Sequence, residues 1–299
     1  MKNICIVGCG KIGQLHAKNL KDRAHLYFHS RTPESAHDLC GRMGGSGVME
    51  EYEQVVSNEA VDAVVLASPP QFHCAQTIKG LQSGKAVLAE KPLCTSPAEL
   101  TQIEAAYGSQ QHALLMVAEN YYYKPSLARI KELIADDGVG TLERVEVQKL
   151  FSQSSRGWRS SYGSLLEGGI HFVALVSDIV DDSPTAISAR FPGQRGDEPE
   201  RHAELQLSYE RGVRATLRYA WDRASLTRGL LQHSRIIGSR GRIVFESNGL
   251  YAMLTSAEGR KFLFPNLTDL MGYGQMTTEF LLCLDDRGTE PYSNLARAR

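Results

Sequence analysis

The most constraining feature of the chain is a short apolar segment that leads directly into three spaced glycines. Residues 4–7 form an apolar run, and Gly8, Gly10 and Gly13 follow in the spacing Gly-x-Gly-x-x-Gly. This pattern predicts a dinucleotide-binding turn: the first glycine permits the tight turn, the second lets the backbone approach a pyrophosphate, and the third lets the helix pack on the strand. A turn that is glycine-rich by chance is the alternative. An apolar-periodic helix and a strand at residues 26–29 follow where a βαβ unit requires them, which favours the first interpretation.

The helix that follows these glycines offers its N-terminal N–H groups to phosphates. We therefore assign the whole loop to cofactor binding, namely Gly8, Cys9, Gly10, Lys11, Ile12 and Gly13. Cys9 stands where a small side chain suffices, and we assign its thiol no chemistry.

The residues after the second strand indicate which nicotinamide cofactor is bound. NAD-binding proteins place Asp or Glu there for the adenosine ribose, and such a carboxylate repels a 2′-phosphate. Here Ser30, Arg31 and Thr32 supply two hydroxyls and a guanidinium, which form a phosphate cradle. The pattern favours NADP(H), with NAD(H) as the other candidate. These residues also suit a helix N-cap followed by Pro33, and both interpretations can hold together.

Strands and helices alternate from residue 1 to about residue 120. The strands at 63–67, 86–89 and 113–117 are almost entirely apolar, which is typical of strands buried on both faces. The fold class predicted for residues 1–120 is α/β, a Rossmann domain with a doubly wound parallel sheet.

The second half, residues 121–299, has a different pattern. Strands such as 142–150, 202–209 and 213–221 alternate apolar and polar residues, and one helix is expected at about 163–180. We predict a substrate-binding α+β domain with a large open, mostly antiparallel sheet. Because an exposed sheet face usually finds a partner, we expect a homodimer or homotetramer through that sheet.

Charge and composition exclude several classes of protein. The 299 residues include 33 basic and 34 acidic side chains, for a net charge of −1, which gives no electrostatic footprint for nucleic acid or an anionic membrane. The six cysteines form no Cys-x-x-Cys pair, so we expect reduced thiols and no metal site. No apolar stretch has the length of a membrane span and no signal peptide opens the chain, so a cytoplasmic protein is expected.

Lys91 stands at the carboxyl end of a buried strand, where doubly wound sheets bind their ligands. An ordinary solvated lysine is the alternative, but Pro92 constrains the backbone of Lys91 and Glu90 offers a carboxylate that orients nearby groups. A cation beside a nicotinamide can hydrogen-bond a substrate oxygen and favour its alkoxide character during hydride transfer.

Several motifs together resemble the Gfo/Idh/MocA oxidoreductases over nearly the whole chain. They are the glycine loop, Ser68-Pro69-Pro70 with His73, Gly84-Lys85, Glu90-Lys91-Pro92, Asn120 to Pro125, Gly138-Val139-Gly140, Arg156 to Arg159, Glu167 to His171, and Glu290-Pro291. The resemblance implies an N-terminal Rossmann domain and a C-terminal α/β domain with an open sheet, often assembled into dimers or tetramers. It also implies that Ser68, Pro69, Pro70, His73, Glu90 and Lys91 contribute to cofactor binding.

Glu167 and His171 are four residues apart in the predicted helix, so their side chains share one face and can converge on one substrate oxygen. Neutral histidine is a competent proton acceptor at cellular pH. A histidine packed under the sheet is the alternative, and the resemblance favours the catalytic role. Members of the family commonly have Asp where Glu167 stands, which is a departure that bears on substrate shape.

The resemblance places Trp158 and Arg159 in the substrate cleft, with Tyr122 and Tyr123 entering from the domain junction. Aromatic rings pack on the apolar face of a sugar, and arginine binds a hydroxyl, carboxylate or phosphate. Plain packing is the alternative for the two tyrosines.

The resulting hypothesis is reversible hydride transfer between nicotinamide and a carbinol or carbonyl carbon of a sugar, polyol or related molecule. His171 moves the hydroxyl proton, Lys91 polarises the oxygen, and Glu167 positions the substrate or the histidine. Two alternatives stay open: a reductase of a non-sugar substrate such as a C=N or C=C bond or a dihydrodiol, and a non-catalytic NADP-binding sensor or regulator.

Overall fold

The structure is a computed structural model that describes residues 1–154, 161–225 and 229–299. The chain divides into two compact units. Met1–Glu119 and Tyr273–Arg299 form the first unit, and Asn120–Gly272 forms the second.

The first unit contains a parallel sheet with helices between its strands. Its strands are β1 (Asn3–Val7), β2 (His25–His29), β3 (Gly47–Val48), β4 (Ala63–Leu66), β5 (Ala86–Ala89) and β6 (Leu115–Val117). Its helices up to β6 are α1 (Lys11–Leu20), α2 (Pro33–Met43), α3 (Tyr52–Ser57), α4 (His73–Gln82) and α5 (Pro97–Gly108). The strand order is β3-β2-β1-β4-β5-β6, and all pairs are parallel. Every residue of β4 and β5 is buried, so the predicted doubly wound sheet is confirmed.

The described residues of the second unit form one large sheet and the α-helices α6 (Pro125–Ala135) and α7 (Ile170–Val180). Its strands are β7 (Leu142–Leu150), β8 (Ala186–Arg190), β9 (His202–Ser208), β10 (Arg214–Ala220), β11 (His233–Gly238), β12 (Gly241–Glu246), β13 (Ala252–Ser256) and β14 (Gly259–Leu263). The strand order is β14-β13-β12-β11-β7-β10-β9-β8, and only the pair β7–β10 is parallel among the strands described. The predicted large sheet is therefore mostly antiparallel, as expected, and the hairpin β13–β14 extends it beyond the strands that the sequence indicates.

One face of this sheet is covered by α7. Val176 of the helix shares a buried core with Val145 and Val147 of β7. Side chains at alternating positions, such as Arg214 and Arg235, are exposed on the other face. The alternation of apolar and polar residues along the strands produces this division.

The end of the chain departs from the predicted domain boundaries. Residues 121–299 were predicted to form the second domain, whereas α8 (Tyr273–Asp285) and α9 (Leu295–Ala298) group with the first unit. Helix α8 packs beside α1, and the N–H of Val117 in β6 donates to the carbonyl of Ser293 at 2.8 Å. An amphipathic pattern shows that a helix buries one face, but it does not show which sheet covers that face.

The described residues include no helix with the length and apolar character needed to cross a membrane. All six cysteines are free thiols, and four of them are buried. Burial raises the pKa of Cys9 and of Cys283 to about 11, so both remain protonated at neutral pH.

Candidate active site

The glycine loop between β1 and α1 has the backbone that its sequence predicts. Gly8 has φ of +102°, and a Cβ there would lie 2.5 Å from the carbonyl oxygen of Ala67. A Cβ at Gly13 would lie 1.9 Å from the carbonyl oxygen of Gly8, so both positions require glycine. A Cβ at Gly10 would meet no heavy atom within 4 Å. The open side of the loop is therefore at Gly10, where the motif brings a pyrophosphate close to the backbone.

Helix α1 begins without a side-chain cap. Gly10 is its N-cap, and the first backbone bond runs from Gln14 N–H to Gly10 O at 2.9 Å. The N–H groups of Lys11, Ile12 and Gly13 precede that bond and have no carbonyl within the helix to accept them. The loop thus fits a bound phosphate.

The side chain of Cys9 is turned away from this loop. The residue is buried, and its thiol lies 3.6 Å from the carbonyl oxygen of His29. Only the backbone of Cys9 is in a position to contribute to cofactor binding.

The segment after β2 presents the predicted cationic and hydroxyl groups. Arg31 is exposed, and its guanidinium carbon lies 4.6 Å from the ring centroid of Phe72. The N–H of Thr32 donates to Ser30 Oγ at 3.3 Å. Thr32 is also the N-cap of α2 before Pro33, but its hydroxyl makes no capping hydrogen bond. The N-cap interpretation therefore holds for the backbone, while the side chain serves no capping role.

His73 connects two loops at the carboxyl edge of the sheet. The residue is buried, with Nδ1 at 2.8 Å from Pro92 O and Nε2 at 2.7 Å from Ser68 O. Ser68 and Pro69 follow β4, and Pro70 opens a short 3₁₀ turn. The sequence assigns His73 to cofactor binding. In the structure both of its ring nitrogens contact backbone carbonyl oxygens, and the imidazole thereby connects the loop after β4 to the loop after β5.

Glu90 is likewise engaged inside the protein. It is 6% exposed, and its Oε1 lies 2.8 Å from Nε2 of the fully buried His16 in α1. This carboxylate oxygen is therefore engaged by an internal pair, and the contact of Glu90 with the cofactor stays a prediction. Lys91 follows, half-buried, at the carboxyl end of β5, and its peptide bond to Pro92 is cis. The motif Glu90-Lys91-Pro92 is visible in the sequence, but it does not indicate that Glu90 pairs with His16.

The helix that carries Glu167 and His171 is not regular. Leu165–Gly169 forms a π-helical turn that contains Glu167, and α7 begins only at Ile170. The helix predicted at about 163–180 is therefore present, with a π-helical turn in place of regular α-helix near its start. A Cβ on Gly168 would lie 2.0 Å from Tyr219 Oη, so this turn packs tightly on β10. Single π-turns of this kind are frequent at functional sites.

His171 has an aromatic neighbour that was not among the predicted residues. Its ring stacks on Tyr121, with centroids 4.5 Å apart and planes 12° from parallel. Tyr121 lies in a 3₁₀ turn, Asn120–Tyr123, and is buried, whereas Tyr122 and Tyr123 are half-buried. The consecutive tyrosines predict that aromatic rings contribute to the site. The 3₁₀ turn determines that the ring of Tyr121 is the one that contacts the imidazole.

The remaining predicted residues are distributed as follows. Trp158 and Arg159 lie outside the described residues. Lys91 is in the first unit, with the glycine loop and the segment after β2, and Glu167 and His171 are together in the second.

Two family models match the chain. One, described as "Oxidoreductase family, NAD-binding Rossmann fold", matches residues 2–119, and the other, "GFO/IDH/MocA C-terminal domain", matches residues 127–244. The chain belongs to the Gfo/Idh/MocA oxidoreductase family. The resemblance found in its motifs is thereby confirmed.

Curated relatives of this Gfo/Idh/MocA chain include inositol dehydrogenases. Inositol 2-dehydrogenase of Rubrobacter xylanophilus is 30% identical over 138 residues, or 45% of this chain and 40% of that protein. The scyllo-inositol 2-dehydrogenase (NADP(+)) of Bacillus subtilis is 26% identical over 219 residues, or 68% of this chain and 59% of that protein. The matched segments thus span about half the length of these relatives.

The fold of this Gfo/Idh/MocA chain also occurs in a solved levoglucosan dehydrogenase, in complex with NADH and levoglucosan. The TM-score is 0.87 at 17% identity, over 99% of this chain and 93% of that one. At this identity the match shows a shared fold.

Proposed function

We propose that the protein is an NADP(H)-preferring oxidoreductase that transfers a hydride between nicotinamide and a carbinol or carbonyl carbon of a sugar or polyol. The observation that carries the proposal is the position of Lys91 two residues after the carboxyl end of β5. The glycine loop follows β1 of the same parallel sheet, and carboxyl ends of parallel strands share one edge. The names of the inositol and levoglucosan dehydrogenases support the substrate class.

The chemistry divides among three side chains. Bound nicotinamide supplies the hydride acceptor or donor. Lys91 donates a hydrogen bond to the substrate oxygen and stabilises its developing negative charge. His171 takes the hydroxyl proton at a ring nitrogen, and Glu167 orients the substrate or the imidazole.

The preference for NADP(H) rests on the segment after β2. Arg31 is exposed beside Phe72, and Ser30 and Thr32 flank it with hydroxyl groups. No carboxylate occupies positions 30–32, so the usual ligand of an unphosphorylated adenosine ribose is missing from this segment. A guanidinium is the side chain best suited to a phosphate monoester.

We also propose that the protein forms a homodimer or homotetramer through the open face of its large sheet. That face exposes side chains along several strands, including Arg214 and Arg235. Light scattering after size-exclusion chromatography is expected to give two or four times the mass of one chain. The mass of a single chain would contradict this.

The experiment that tests the activity is a substrate panel followed by the absorbance of reduced nicotinamide. It covers inositols, sugars, sugar nucleotides, dihydrodiols and imines, each with NADP(H) and with NAD(H). Turnover of a polyol or sugar, faster with NADP(H), is the expected result. Turnover restricted to dihydrodiols or imines would move the protein to the non-sugar class, and cofactor binding without any turnover would indicate a sensor.

A further inference from the structure

The ring of Tyr121 contacts two polar side chains of the second unit. The imidazole of His171 stacks on it at a centroid distance of 4.5 Å, and Nζ of Lys124 lies 4.3 Å from the same centroid. Both groups are therefore within contact distance of the one phenol ring.

The fold holds both His171 and Lys124, the two residues that contact the Tyr121 ring. His171 belongs to the first turn of α7, and the next residue, Phe172, meets the Tyr121 ring edge-on at 5.4 Å. Lys124 is 3% exposed and donates to the carbonyl oxygen of Asn248. Tyr121 itself is 8% exposed.

The loop that accepts the hydrogen bond of Lys124 is held by a buried carboxylate. Glu246 is fully buried and accepts from the backbone N–H of Asn248 at 2.9 Å and from its side-chain amide at 2.7 Å. Lys149 donates to Asn248 Oδ1 at 2.6 Å. Lys124 is therefore fixed at its ammonium end, and its contact with Tyr121 has a defined geometry.

These contacts are the kind that fix a ring in place. A desolvated ammonium over an aromatic face is attracted more strongly than an exposed one, because water does not compete for it. Offset or parallel stacking restricts the tilt of the partner ring. A proton acceptor must lie within hydrogen-bond reach of its donor, and small displacements cost rate steeply.

We infer that Tyr121 and Lys124 are positioning residues for His171. The phenol ring holds the plane of the imidazole, and the ammonium group holds the phenol ring through its cation–π contact. The inference rests on the proposed function, because it assigns the imidazole the task of taking the substrate proton. It extends the proposed function to Tyr121 and Lys124, which are assigned no contact with the hydride donor or the hydride acceptor.

The test combines steady-state kinetics with NMR of histidine-labelled enzyme. The variants are Tyr121→Leu, Tyr121→Phe, Lys124→Met and His171→Asn. Tyr209→Leu, which removes a buried tyrosine elsewhere in the second unit, and Lys131→Met, which removes a cation of α6 paired with Asp178, are the matched controls. Cofactor affinity and thermal midpoint are measured for each.

We expect Tyr121→Leu to lower kcat about tenfold or more, with NADPH affinity within about twofold. The ring-current displacement of the His171 resonances disappears in the same variant. Tyr121→Phe keeps both rate and displacement, because the hydroxyl is not needed for stacking. Lys124→Met lowers kcat by a smaller factor, whereas Tyr209→Leu and Lys131→Met lower the thermal midpoint without lowering kcat.

If Tyr121→Leu has the kcat of the wild type while His171→Asn is impaired, the positioning role of Tyr121 is overturned. The proposed function is left intact by that result. Equal losses of kcat in Tyr121→Leu and Tyr209→Leu overturn it as well, since the effect would then follow stability. Wild-type turnover in His171→Asn defeats the proposed function, and the positioning role fails with it.

Discussion

Nε2 of His16 lies 2.8 Å from Oε1 of Glu90, and both residues are buried in the first unit. His16 belongs to α1, the helix that follows the glycine loop, and Glu90 directly precedes Lys91. The pair thus joins the helix that follows the glycine loop to the turn that carries the candidate catalytic lysine. The ring of His16 also meets Tyr273 of α8 edge-on at 5.6 Å.

Replacing Glu90 by Ala removes the carboxylate that contacts Nε2 of His16. The buried imidazole of His16 then lacks this hydrogen-bond partner. We expect a loss of about 2 kcal/mol in the free energy of unfolding, since a buried polar group loses its hydrogen bond. The kcat also falls, because the backbone at Lys91 is no longer tied to α1. Glu90→Gln, which keeps a side-chain oxygen at this position, serves as the conservative control. Urea unfolding and steady-state kinetics are the measurements, and an unchanged stability in Glu90→Ala would show that the pair is not formed.

Arg31→Ala is expected to weaken NADPH binding about tenfold or more while NADH binding changes less than about twofold. A charge-assisted bond to a phosphate contributes at least about 1.5 kcal/mol, which corresponds to that factor. Arg42→Ala is a matched control, because Arg42 is an exposed arginine of α2 that pairs with Asp38. Fluorescence titration with both cofactors measures the effect. Parallel losses for NADH and NADPH would argue against a 2′-phosphate site at Arg31.

The thiol of Cys9 predicts a pH dependence of stability. Burial, with a smaller contribution from Cys40, raises the pKa of Cys9 from 9.0 to about 11 in the folded protein. The folded state therefore holds the proton more tightly than the unfolded state, and the stabilisation is complete below pH 9 and lost as the pH rises towards 11. Between pH 9.0 and about pH 11, the unfolding midpoint should fall less steeply with rising pH for Cys9→Ala than for the parent. Identical slopes would contradict the assignment of this thiol to a buried position.

The parts of the fold that depend on local periodicity were predictable from the sequence. β7 runs from Leu142 to Leu150 as predicted, because its apolar residues alternate and its ends are marked by turn residues. The glycine loop was predictable because glycine alone fits the backbone at Gly8 and Gly13. Features that depend on residues distant in sequence were not predictable in this way.

The missed features share this non-local origin. The π-turn at Leu165–Gly169 packs against Tyr219, and the ring that stacks on His171 belongs to the turn that carries Tyr121. His16 and Glu90 are separated by 74 residues, so no spacing rule connects them. Residues Lys91 and His171 were recognised by motif, which identifies side-chain chemistry but not the contacts that hold each group.

Lys91 is proposed to act on the substrate oxygen during hydride transfer. The most direct test is the kcat of Lys91→Ala on the best substrate of the panel, with NADPH affinity measured in parallel and Lys85→Met as control. Lys85 lies just before β5 and donates to Asn58 O at 2.7 Å. We expect kcat to fall by about a hundredfold or more in Lys91→Ala, as for the loss of an oxyanion-stabilising donor, with NADPH affinity within about threefold and kcat unchanged in Lys85→Met. A kcat in Lys91→Ala close to that of the parent would show that Lys91 does not act in the reaction.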